Sequence, residues 1–209
     1  MSWIESITPD EATGRLARIY AGACDPELGR PANVLVVHGV SPTVLEAHLA
    51  LYRRVVKAPK ALPWYACEMV ATVVSAANAC RYCTIHHAVA LSRALAAAGT
   101  EAPFAFRPTV EGLVGFGRTG EAAPIAAVPA PWNAAVRFAR ALTVAPGAIR
   151  RPQHDALAEA GLADAARFEI VQVTAYFNYV NRVVLGLGVA LEPEYEAAHG
   201  WLWPLAGGA

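Results

Sequence analysis

The sequence predicts an all-α protein, on three observations. Alanine and leucine dominate it, and no alternating run of Val, Ile and Thr exceeds a few residues. Apolar residues recur at helical spacing between Pro-led starts and Gly stops. With 209 residues, a single domain over 1–209 is expected, large enough to bury a full core without disulfides.

In chain order, "TPDEATGRLARIYAGA" opens with Thr8 as a cap, Pro9 in the first turn and acids behind it, predicting the first helix. "SPTVLEAHLALYRRVVKA" repeats the signal at Ser41 and Pro42, and Leu45, Leu49, Tyr52 and Val56 make its apolar stripe. A third helix, "PWYACEMVATVVSAA", starts at Pro63. A fourth, "CRYCTIHHAVALSRALAAAG", ends at Gly99. These two form a core motif over 63–99. Residues 100–130 are rich in Pro and Gly, so a long loop is expected, with at most one short helix near Val110 to Phe116. Helices resume over 131–190, the last long one closed by Gly186 and Gly188. In the tail, Trp201 and Trp203 are expected to pack within the chain or on a neighbouring subunit.

Lys plus Arg equals Asp plus Glu, so there is no basic footprint for nucleic acid or anionic lipid. The first residues lack a basic region followed by an apolar run, and "MVATVVSAANAC" is too short to span a bilayer. A cytoplasmic location is expected, with no membrane and no nucleic-acid partner. Only 16% of residues are charged, against about a quarter in average domains. Part of the surface is therefore expected to be buried in a homo-oligomer, through the last long helix and the aromatic tail (Tyr176, Phe177, Tyr179, Trp201, Trp203).

The chemistry concentrates in "NACRYCTIHH", residues 78–87. A Cys-x-x-Cys pair in a reducing compartment is redox-active or metal-binding rather than structural. Asn78 is expected to cap the fourth helix, leaving Cys80 and Cys83 in its first turns, where the dipole favours a thiolate. Cys80, Cys83 and His87 share one face, and an imidazole one turn from a thiol can activate it. Glu68 is the acid of the third helix. A chain reversal near 77–78 would bring it level with His87, its expected partner in the core. Tyr82 and His86 are auxiliary candidates. Cys24 and Cys67 read as small buried hydrophobes. Zinc on the two thiolates, a histidine and a carboxylate is disfavoured, because ligands on one helical turn make a poor tetrahedron.

The spacing of Glu68, Cys80, Cys83 and His87 resembles the alkylhydroperoxidase AhpD-like core of the carboxymuconolactone decarboxylase superfamily. "CEMVATVVSAANACRYCTIHHAVAL", "SPTVLEAHLALYRRV" and "AARFEIVQVTAYFNYVNRVVLGLGVALE" are similar to its peroxidase-related branch. The resemblance implies an all-α AhpD-like bundle, a homo-oligomer, and thiol peroxidase chemistry without haem, flavin or metal. By the same resemblance Cys83 attacks the peroxide, Cys80 resolves it, and His87 and Glu68 relay protons. A lipoyl-bearing or other dithiol partner would re-reduce the pair. This chain departs from the family in carrying Tyr82 where those members have a histidine. Two cues from the residues compete over the attacking sulfur. The helix dipole favours Cys80, whereas the nearer histidine favours Cys83, and the base carries more weight because it also supplies a proton. A general thiol–disulfide oxidoreductase, and a redox-sensing or partner-binding oligomer without turnover, are the alternatives.

Overall fold

The computed structural model describes residues 2–99 and 106–203, and no strand occurs among them. The helices are α1 (Gly14–Ala21), α2 (Asn33–Val37), α3 (Pro42–Tyr52), α4 (Trp64–Ala77), α5 (Arg81–Ala98), α6 (Phe106–Thr119), α7 (Ala130–Val144), α8 (Arg151–Glu159), α9 (Asp164–Gly186) and α10 (Pro193–His199). No helix among the described residues is long and apolar enough to cross a membrane.

α4 is the central element. Tyr65 to Ala76 are all buried, as expected of a helix that is apolar or small on nearly every face. α5 runs back antiparallel along it, and α6, α7 and α9 pack around it. The expected starts at Pro42 and Pro63 hold, with Pro42 opening α3 and Pro63 capping α4. Gly99, at φ 56°, stops α5.

Several expectations fail for local reasons. Thr8 does not start a helix: its amide and hydroxyl donate to the Glu11 carboxylate at 2.9 and 2.6 Å, closing a turn, and α1 begins only at Gly14. Asn78 does not cap α5. It ends α4, and its side chain donates to Asn181 and Asn178 at 2.9 and 3.2 Å. Cys80 is the cap residue instead, set by Ala79 in the left-handed region at φ 54°.

The expected loop over 100–130 is largely helix. Residues 100–105 lie outside the described residues, but α6 fills 106–119, and a 3₁₀ turn follows at Ala123–Ile125. Val110, Leu113, Val114 and Phe116 are buried on one face. Two of the glycines are there for close packing. A Cβ on Gly117 would meet Ala76 Cβ at 2.6 Å and the Val73 carbonyl at 2.8 Å; one on Gly112 would meet the Pro124 carbonyl at 2.2 Å.

Tyr176 and Phe177 of α9 belong to the core rather than to an exposed face, whereas Tyr179 is 42% exposed. In the tail, Trp201 lies under Arg107 and Trp203 under Arg118, each 4.7 Å from the cation to the ring centre, so both pack within the chain.

Candidate active site

The α4–α5 reversal builds the site. Glu68 and His87 stand nine to ten residues on either side of it, and His87 Nδ1 lies 2.7 Å from Glu68 Oε2. Glu68 is fully buried, and its remaining lone pairs are met. Trp64 Nε1 donates to Oε1 at 2.7 Å, and Lys57 Nζ reaches the same oxygen at 3.3 Å. Lys57 ends the π-helical turn Arg53–Lys57 that prolongs α3 and carries it to the site. Burial alone would raise the Glu68 pKa, but His87, Lys57 and Trp64 outweigh it and the carboxyl lies below its ordinary value. Burial dominates at His87 and lowers its pKa despite Glu68. The two directions fit together if Glu68 is ionised and His87 neutral, with Nδ1–H donating to the carboxylate. Nε2 is then left with a lone pair, the state a base needs.

Cys80 and Cys83 are both free thiols and both buried. Cys80 has an exposure of 0%, because the cap position turns its sulfur inward over the first turn. There it accepts hydrogen bonds from the Cys83 side chain and amide, which lower its pKa, the thiol contact being the larger cause. Burial, together with that same contact, pushes Cys83 well up, and Asn181 pulls the other way. The pair therefore titrates as a unit, and its first anion rests mainly on Cys80.

Access ranks the sulfurs in the opposite order. A cavity of about 370 Å³ is lined by Cys83, His86, His87, Tyr82, Trp64 and Tyr52, among others, and Cys80 does not reach it. Its charged lining is already engaged. Lys57 holds Glu68, Arg93 holds Glu27 at 2.7 Å, and Arg53 donates to the Gly22 carbonyl at 3.2 Å. Cys24, read as a buried hydrophobe, is exposed and also lines this cavity, because the turn after α1 leaves it outside the core; Cys67 is buried as read.

A second carboxylate–histidine pair faces the same cavity. Glu192, fully buried, takes His86 Nε2 at 2.8 Å, Tyr82 OH at 2.9 Å and the Asn33 amide at 2.6 Å. Burial opposes its ionisation, but His86 and then the Asn33 amide bring its pKa down to about 2. The sequence reading missed Glu192, Lys57, Trp64 and Asn181. Only Asn181 had a local signal, a polar residue on the buried side of an apolar helix; the others arrive from distant segments. Among the described residues no group of three or more His, Cys, Asp or Glu is placed to hold a metal ion.

No protein-family model and no curated protein sequence matches the chain. Solved structures do match it in shape. An uncharacterized peroxidase-related protein from Ralstonia eutropha, described as an alkylhydroperoxidase AhpD core, superposes with a TM-score of 0.76 at 21% identity, over 93% of this chain and 94% of that one. An uncharacterized peroxidase-related protein from a Silicibacter species gives 0.71 at 23% identity, over 96% and 93%. A cysteine-to-alanine variant of the debrominase Bmp8, in complex with 2,3,4-tribromopyrrole, gives 0.73 at 19% identity, over 97% and 100%. By these likenesses, the all-α fold is that of the AhpD-like, peroxidase-related proteins.

Proposed function

We propose that the protein is a cysteine-based peroxidase that reduces organic hydroperoxides through the Cys80–Cys83 pair. The observation that carries this reading is a buried, hydrogen-bonded dithiol with one sulfur, Cys83, on a cavity it shares with the Glu68-held His87. The AhpD-like fold supports the same class of chemistry.

His87 Nε2 takes one proton from the thiol pair. The remaining proton moves between the sulfurs, and Cys83 attacks as thiolate when it lies on Cys80. The O–O bond breaks. One oxygen stays on Cys83 as a sulfenic acid and the other leaves as the alcohol once protonated. The Cys80 thiol then displaces hydroxide, which departs as water with the Cys80 proton, and a disulfide forms. An external dithiol, a lipoyl-bearing protein for example, returns both sulfurs to thiols. The apolar and aromatic cavity, with its charged side chains already hydrogen-bonded to protein groups, suits a neutral organic hydroperoxide.

A second reading comes from the fold likeness to Bmp8, a variant of which is in complex with 2,3,4-tribromopyrrole, and the aromatic residues lining the cavity suit a flat ring of that class. Attack on bromine instead of oxygen would end in the same disulfide, with bromide released.

Steady-state assays decide. With a lipoyl dithiol present, cumene hydroperoxide is expected to be consumed over many turnovers, and mass spectrometry of the peptide holding residues 80–87 should show the disulfide after one equivalent. A single oxidation without turnover indicates a redox sensor. Dithiol–disulfide exchange without peroxide consumption indicates a general oxidoreductase. Bromide release from tribromopyrrole without peroxide consumption selects the second reading.

A further inference from the structure

Thiol attack on a peroxide needs two proton transfers, one off the sulfur and one onto the leaving oxygen. Of the three histidines that line the cavity, His86 and His87 each carry their own fully buried glutamate, whereas His48 meets Tyr176 OH. The two dyads differ in ways that bear on these tasks. Glu68 is shared between His87 and Lys57, so its charge is largely met before His87 is counted. The other partners of Glu192, Tyr82 OH and the Asn33 amide, are neutral donors, so its charge faces His86 alone. A carboxylate cannot donate, so His86, which lines the cavity, gives Nε2–H to Glu192 and keeps Nδ1 free of it; His87 gives Nδ1–H to Glu68 and keeps Nε2. The His86 ring also stacks on Tyr195 at 4.1 Å between centroids, and Tyr82 lies tilted against it at 4.5 Å.

We propose that His86, oriented by Glu192, is the general acid that protonates the leaving oxygen, while His87 is the base for the thiol pair. The inference rests on the peroxidase reading above and divides its proton work between two residues. His86 enters as imidazolium and gives the Nδ1 proton to the alkoxide as the O–O bond breaks. Cys83 gains oxygen and the alcohol departs. His87 still holds the thiol proton, which returns through solvent to recharge His86, so protons balance over the cycle. Glu192 acts as a positioning residue and does not touch the substrate. Tyr82 locks Glu192, and burial together with that carboxylate pushes its own pKa well up, so it stays a hydrogen-bond donor.

Leaving-group dependence tests this. tert-Butyl hydroperoxide expels an alkoxide that needs a proton, whereas peracetic acid expels acetate, which does not. Single-turnover oxidation of Cys83 is followed with both oxidants in His86→Gln, Glu192→Gln and His87→Gln. For His86→Gln, the rate ratio should shift by about a hundredfold or more toward peracetic acid, the range of positioned acid catalysis. Glu192→Gln, which keeps the side-chain shape, should shift it in the same direction by less and serves if His86→Gln does not fold. His87→Gln should slow both oxidants with the ratio unchanged. An unchanged ratio in His86→Gln and Glu192→Gln overturns the assignment, whether both rates fall or neither does. If the wild-type protein oxidises with neither reagent, the peroxidase reading fails and takes this inference with it.

Discussion

The buried charge of Glu68 is shared between His87 and Lys57, two partners that reach it from different elements, and it supports the basicity of the imidazole. Two substitutions test the charge balance at His87. Glu68→Gln removes the interaction that supports its protonation, so the base should weaken. Turnover should fall about ten- to a thousandfold, and the rising limb of the pH–rate profile should move to lower pH. Lys57→Met removes a nearby cation, so the same limb should move to higher pH. Identical profiles for both variants and the wild type would remove the Glu68–His87 pair from catalysis. The sulfurs were half legible. Their spacing and shared face could be read, but the cap position that buries Cys80 depends on where α4 ends, and that in turn depends on the Asn78–Asn181 bond.

Among the elements, α6 is where composition misled. Counting Pro and Gly as breakers predicted a loop, yet Gly117 and Gly112 sit where α6 presses onto α4 and onto the turn at Pro124. Matched substitutions separate these roles. Gly117→Ala forces a clash with Ala76 and the Val73 backbone and should destabilise by about 1–3 kcal/mol. Gly115→Ala meets only ordinary contacts at 3.9 Å, and should be neutral or stabilise by up to about 1 kcal/mol through helix propensity. Thermal melts of both variants check this; equal effects would mean that α6 does not pack as described. The seam between α3 and α9 carries a pH-dependent term. His48 stacks on His38 at 4.5 Å and meets Tyr176 OH at 3.3 Å. Burial and the neighbouring His38 lower its pKa to about 4. Its folded value lies below the ordinary one, so the unfolded chain binds the proton first as pH falls. This contribution is therefore absent above about pH 6.5 and grows between there and pH 4, where it costs on the order of a few kcal/mol at most. His48→Phe keeps a ring and removes the titration, so its melting temperature should fall less from pH 7 to pH 5 than that of the wild type. Equal falls would show that His48 does not control acid stability.

For the whole molecule, the all-α class was legible because helix propensity, apolar periodicity and Pro/Gly punctuation agreed along most of the chain. Assembly is less direct. The expected aromatic interface loses Tyr176 and Phe177 to the core, yet Phe168, Tyr179 and Leu185 of α9 remain exposed at 63%, 42% and 44%, as do Val44 and Leu51 of α3 at 48% and 45%. The His48 and Tyr179 rings lie 6.2 Å apart, so the two helices meet at that point. We propose that these exposed apolar residues of α9 and α3 meet a second copy, because the sequence carries few charges with which to cover a monomer's surface. Light scattering at micromolar concentration should give at least a dimer, and Phe168→Glu with Leu185→Glu should weaken it. A wild-type monomer would contradict the proposal. If Cys83 takes the oxygen and Cys80 resolves it, the sulfenic acid must be trapped on Cys83. After one equivalent of hydroperoxide, Cys80→Ser is predicted to carry a dimedone adduct on Cys83, and Cys83→Ser none. An adduct on Cys80 in the Cys83→Ser protein would overturn this assignment, because the easier ionisation of Cys80 would then outweigh the access of Cys83 to the cavity.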